Sequence, residues 1–130
     1  MKALFVFLGG GVGALLRFSI TTIFPTIEVK HFFIFPVGTL LVNIIASFII
    51  GLLVGFDFVN PMPSEYKLLI GTGICGGLST FSTFAIENLF MLSEKSYILF
   101  IFNLILNNFL TLLFAVLGYF LGKYLGVING

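Results

Sequence analysis

The chain has 130 residues, of which 59% are apolar, 17% aromatic and only 8% charged, and its mean hydropathy is +1.22. Soluble domains carry about 25% charged residues, so too little polar surface exists to face water and the solvent must be lipid. A net charge of +1 excludes a nucleic-acid footprint, and the single cysteine, Cys75, excludes an intrachain disulfide and any CxxC or Cys/His metal cluster.

Crossing the hydrocarbon takes about 20 apolar residues in a helix, and four stretches qualify in chain order. The first runs from Ala3 to Phe24. Its opening, one lysine and then an apolar core, resembles a signal peptide. The apolar run continues past Arg17, however, with no small-residue cleavage site after it, so a retained first span is expected. A loop over Pro25–Phe33 follows, with the only histidine, His31, beside Lys30; it reads either as an exposed loop residue or as a pH sensor. The second span runs from Ile34 to Phe56. The loop Asp57–Glu65 contains Pro61 and Pro63, which exclude helix there. The third span runs from Tyr66 to Leu92, the connector Ser93–Ser96 carries Glu94 and Lys95, and the fourth span runs from Tyr97 to Leu121, ahead of Lys123 and a short tail. The expectation is one all-α, multi-pass domain over residues 1–130, in a cell membrane and with no enzymatic role.

Orientation follows the Lys/Arg bias of the loops. One side holds Lys2, Lys67 and Lys123; the other holds Lys30 and Lys95, plus Arg17 if it snorkels outward. So small a bias permits insertion in both orientations and hence an antiparallel dimer. Four helices also leave little interior for a water-filled path, and a polar stripe is more easily buried between two copies.

Such stripes exist. Thr39, Asn43 and Ser47 recur at i, i+4 and i+8, as do Ser79, Thr83 and Glu87, and Asn103, Asn107 and Thr111, with Thr80, Ser82, Asn88 and Asn108 nearby. Two readings stand: helix–helix glue, at about 0.6–2 kcal/mol for each hydrogen bond, or a polar route. Uncharged donors can replace hydration water around an ion without trapping it, and N–H and O–H groups suit a small anion. Only Arg17 and Glu87 lie near or within spans, and the first span has no carboxylate, so passive conduction fits better than proton-coupled transport. Arg17 reads either as an interface anchor or as an anion-attracting group at a vestibule.

Glycines 9, 10, 11 and 13, and again 51 and 55, carry GxxxG spacing and predict close helix packing. The match of Gly71–Gly76 to GxGxxG is spurious, because no βαβ unit surrounds it. The stretch GTGICGGLSTFSTF at 71–84 predicts a break in the third helix. Gly73, Gly76 and Gly77 each cost about 1 kcal/mol in a helix relative to alanine, and the hydroxyls that follow can satisfy freed backbone groups. Carbonyls at such a break can coordinate a cation, while the next half-helix points its positive end at an anion. Phe81 and Phe84, three apart, share a face, and the positive edges of two rings favour an anion without a formal charge.

With GGGVGALLR at 9–17, GTLLVNIIASFIIG at 38–51, GICGGLSTFSTF at 73–84 and an asparagine-rich last span, the chain resembles the Fluc (CrcB-type) fluoride channels over all four helices. The resemblance implies an antiparallel, dual-topology homodimer that conducts fluoride selectively and exports it to protect the cell. It also implies a central structural Na+ held by backbone carbonyls of Gly76 and Ser79 of both subunits. Phe81 and Phe84 would form an aromatic box, Asn43 a pore donor, and Ser82, Thr83 and Thr111 a polar track; Arg17 would end the first-helix motif. The usual Thr-Thr-Phe of the family reads Ser79-Thr80-Phe81 here, a change that a backbone-held ion tolerates. Heterodimers with a paralogue occur in the family, which leaves an inert partner subunit as one alternative and a proton-coupled small-molecule exporter as the other.

Overall fold

The computed structural model describes residues 1–24, 28–29, 32–33 and 35–129, with backbone alone at 28–29 and 32–33; the readings placed on His31 lie outside this set. The elements are α1 (Lys2–Ile23), a two-residue antiparallel ladder of β1 (Glu28–Val29) with β2 (Phe32–Phe33), and α2 (Val37–Val59). A third helical run follows as α3 (Ser64–Tyr66), a π-helical stretch over Lys67–Cys75, α4 (Gly76–Leu78) and α5 (Phe81–Ser93). The last helix is α6 (Tyr97–Asn129). Four runs, with the third taken as Ser64–Ser93, are long and apolar enough to cross a membrane. Their outer faces carry large apolar side chains such as Phe7, Leu15, Ile98 and Leu112, each more than 60% exposed, a surface suited to lipid rather than water.

Several boundaries differ from the sequence expectation: α2 begins at Val37, after Pro36, rather than at Ile34, and the third run begins at Ser64, directly after Pro63, rather than at Tyr66. The second helix continues through Asp57 to Val59, and Asn60 turns extended (φ −119°, ψ 95°) ahead of Pro61, whose ring disfavours helix at the preceding residue. The fourth runs on past Leu121 to Asn129. Gly122 and Gly126 still pack on α2 there, and the Lys123 ammonium lies 5.2 Å from the centre of the Phe58 ring, so contacts beyond the apolar window hold the helix.

Glycine sets the closest approaches. A Cβ on Gly51 or Gly55 would strike the Ala115 or Tyr119 carbonyl, and one on Gly118 or Gly122 would strike the Phe48 or Leu52 carbonyl. The backbones of α2 and α6 therefore touch along a reciprocal seam, running parallel. A second seam joins α1 to the third run, where Gly9 and Gly13 face Leu69, Gly73, Ile74 and Gly77. Between the seams lies a small core of Val42, Ala46, Cys75 and Leu78, flanked by Ile20, Ile49, Ile50 and Ile70.

The glycines of the third run remain helical. Extended backbone occurs later, at Ser79 (φ −71°, ψ 155°) and Thr80 (φ −149°, ψ 117°). Gly73 and Gly77 are drawn against Gly9 and Gly10 of α1, and that packing outweighs their poor helix propensity.

Candidate functional site

The site is built around Ser79 and Thr80. The Thr80 N–H, which in a continuing helix would close a turn on the Gly76 carbonyl, instead donates to Asn43 Oδ1 of α2 at 2.8 Å. The Thr80 hydroxyl then caps α5, accepting the Thr83 N–H at 3.2 Å. The Ser79 hydroxyl donates back to the Cys75 carbonyl at 2.9 Å, and the Ser79 carbonyl accepts the Arg17 guanidinium at 3.2 Å. Freed backbone groups at membrane depth are thus met by side chains from α1 and α2, which is the condition for leaving the helix there.

Two cavities flank this segment. One, of about 220 Å³, lies between α2, the extended pair and α6, and is lined by Asn43, Ser47, Ser79, Thr80, Phe81, Phe84, Asn107, Asn108 and Thr111. The other, of about 380 Å³, is bordered by Arg17, Thr21, Thr39, Thr80, Thr83 and Glu87 together with apolar residues of α1 and Gly38. Thr80 borders both.

Of the residues singled out from sequence, Asn43, Ser79, Phe81, Phe84 and Thr111 share the first cavity. The two rings stand 5.6 Å apart, tilted by 48°. Phe84 is buried, whereas Phe81 is 80% exposed on the outer surface of the chain. Arg17 and Thr83 border the second cavity instead. Ser82 borders neither; its hydroxyl lies 3.4 Å from that of Thr80. Gly76 is exposed, and a Cβ there would meet nothing within 4 Å.

Sequence reasoning gave no individual role to Ser47, Thr80, Asn107 or Asn108, all of which line the first cavity. The i, i+4 stripes carried Ser47 and Asn107, and that spacing was the available signal. It did not reveal that Thr39 donates to buried Glu87 Oε1 at 2.6 Å, while Glu87 Oε2 has no partner among the described residues.

For a cation, the Gly76 carbonyl does not receive the Thr80 N–H it would accept in a continuing helix, and the Ser79 carbonyl is already in contact with a guanidinium. Oxygen donors of this kind suit a hard cation, but such ions take about six oxygens, and one chain offers two here. Among the described residues no group of three His, Cys, Asp or Glu side chains could hold a metal.

The chain matches the CrcB-like protein, Camphor Resistance (CrcB) family over residues 4–119. It is 45% identical over 121 residues to a protein of Pyrococcus abyssi named "Fluoride-specific ion channel FluC", covering 92% of this chain and 94% of that protein. Proteins of the same name from Thermococcus gammatolerans and Methanococcus maripaludis are 43% and 44% identical, over 93% and 83% of this chain and 95% and 84% of theirs. With a match across all four spans and relatives of the same length, the chain belongs to the CrcB family.

Proposed function

We propose that this protein is a passive, fluoride-selective channel that lets fluoride leave the cell. One observation carries the reading: the cavity beside the extended pair is lined by uncharged amides and hydroxyls and by the Phe81–Phe84 pair, with no charged side chain among its walls. A small anion entering it exchanges water for N–H and O–H donors and for ring edges, and meets no fixed cation that would hold it. Arg17, at the neighbouring cavity, draws anions toward the mouth. The names of the relatives support fluoride as the anion.

Two copies in antiparallel arrangement complete the channel in this reading. Phe81, on the wall of that cavity, is 80% exposed, and Gly76 is exposed as well, features that a second chain would cover. The same arrangement brings four carbonyls, Gly76 and Ser79 from each copy, to one place, where they would hold a structural Na+. That ion would offset the carbonyl dipoles and join the two copies.

Proton-coupled transport is the competing reading, and the buried carboxylate of Glu87, bonded to Thr39, favours it. The pure protein in liposomes, loaded with fluoride or chloride and assayed by ion-selective electrode, separates the two. Rapid fluoride loss with chloride retained and no proton gradient supports the channel. Flux that requires a proton gradient supports coupled transport, and silence for both ions would sink the homodimeric channel. Exchanging sodium for a larger cation throughout purification is expected to weaken the dimer; an unchanged dimer would count against the carbonyl site.

A further inference from the structure

We propose that Asn88, Asn103 and Asn107 form an amide chain of fixed polarity that positions the Asn43 amide at the cavity wall. The chain crosses three helices. Asn43 Nδ2 donates to Asn107 Oδ1 at 3.2 Å, Asn107 Nδ2 to Asn103 Oδ1 at 2.7 Å, and Asn103 Nδ2 to Asn88 Oδ1 at 3.2 Å. Asn88 Nδ2 ends the chain on the Phe84 carbonyl at 2.7 Å, and the Thr80 N–H starts it on Asn43 Oδ1 at 2.8 Å.

An isolated asparagine has two nearly isosteric orientations, related by exchange of its oxygen and nitrogen. Here both ends act in one sense only: a backbone N–H can only donate, and a carbonyl can only accept. Reversing any single amide places oxygen against oxygen on one side and N–H against N–H on the other. Asn103 is fully buried, and Asn107 and Asn88 are 5% and 6% exposed, so water has little access to these groups. Polar chains sealed in this way reinforce one another.

The consequence reaches the cavity. Asn43 keeps its oxygen on Thr80 and one N–H on Asn107, and its other N–H makes only a long contact, 3.4 Å, with the Thr80 carbonyl. That weakly held N–H is the one free to turn toward a small anion. Asn103 and Asn88 border neither cavity flanking Thr80 and act through Asn43. They are positioning residues.

The flux arm of the test rests on the fluoride reading; a second arm does not. Fluoride efflux is measured for the parent, Asn103→Leu and Asn103→Asp proteins in liposomes, with leak through protein-free vesicles subtracted. In parallel, the side-chain amide resonance of Asn43 is followed by NMR in 15N-labelled protein. Loss of one buried link is expected to lower flux about tenfold in Asn103→Leu, and to broaden or split the Asn43 signal. Asn103→Asp behaves alike while ionised, because a carboxylate cannot donate to Asn88. Acidification restores it, since a protonated carboxyl donates again, and does not restore Asn103→Leu. Glu87, the one buried carboxylate among the described residues, is present in all three proteins, so its titration cancels against the parent profile. Parental flux with an unmoved Asn43 resonance in Asn103→Leu would overturn the proposal, as would equal losses in both variants at every pH. Should the Asn103 variants not assemble, Asn88→Asp poses the same question. It keeps the acceptor for Asn103 and loses only the N–H to Phe84, so a flux that acid fails to raise would also defeat the proposal. A parent that passes no fluoride defeats the channel reading alone, and the Asn43 resonance then decides the chain.

Discussion

The helices α2 and α6 run side by side, yet their two halves are joined by opposite means. Toward their C-terminal ends, Gly51 and Gly55 meet Ala115 and Tyr119, while Gly118 and Gly122 meet Phe48 and Leu52, backbone against backbone. Toward their N-terminal ends, Asn43 and Asn107 meet amide to amide, and a cavity of about 220 Å³ opens beside them. In lipid no hydrophobic force draws two apolar helices together, so contact requires small residues or hydrogen bonds. The glycine half supplies rigidity and excludes any path. The asparagine half spends its contacts on groups that stand away from the backbone, and space remains between them.

The most damaging way to break this contrast is to fill the glycine half. Gly55→Val places side-chain atoms on the Tyr119 carbonyl, a contact that only backbone movement relieves. The expected outcome is loss of the folded protein, seen as aggregation in size-exclusion chromatography; normal elution would show that the seam is not required. Asn43→Leu attacks the other half. It leaves the Thr80 N–H without its partner, an expected loss of about 1–3 kcal/mol, and removes the cavity amide, so fluoride flux should fall about tenfold or more. A flux near the parental value would show that the amide half does not serve conduction.

Phe84→Ile and Phe81→Ile sharpen the comparison at the cavity wall. Both remove a ring edge, but Phe84 is buried and Phe81 is not, so Phe84→Ile should lose more thermal stability while both lower flux several-fold. Unchanged flux in both would defeat the aromatic role. The smallest effect is expected at Gly10, where a Cβ meets nothing within 4 Å. Gly10→Ala should leave the melting temperature unchanged or raised, since alanine is the better helix former by up to about 1 kcal/mol. A marked drop would reveal a second chain packed on that face.

Much of the membrane architecture was legible in advance because lipid imposes a blunt rule, about 20 apolar residues for each crossing. The stripes of Asn43, Asn103 and Asn107 were legible because helical period is a local property. The position of the extended segment was less so. Glycine propensity pointed at residues 73, 76 and 77, whereas Gly73 and Gly77 are held helical by α1, and the chain leaves the helix at Ser79 and Thr80. Local preference lost to packing from a helix about 60 residues earlier in the chain, a separation no window over the third span includes.

Read without a structure, these 130 residues settle their solvent, the number of their crossings and the face on which each polar stripe lies, since all three follow from composition and period. Which stripes meet, which way each amide points and where the backbone turns extended were decided by tertiary contact. Asn43 and Thr80 are 37 residues apart and Asn43 and Asn107 are 64 apart. A buried donor takes its acceptor from whatever the fold places beside it, and that neighbour is not written in the local sequence.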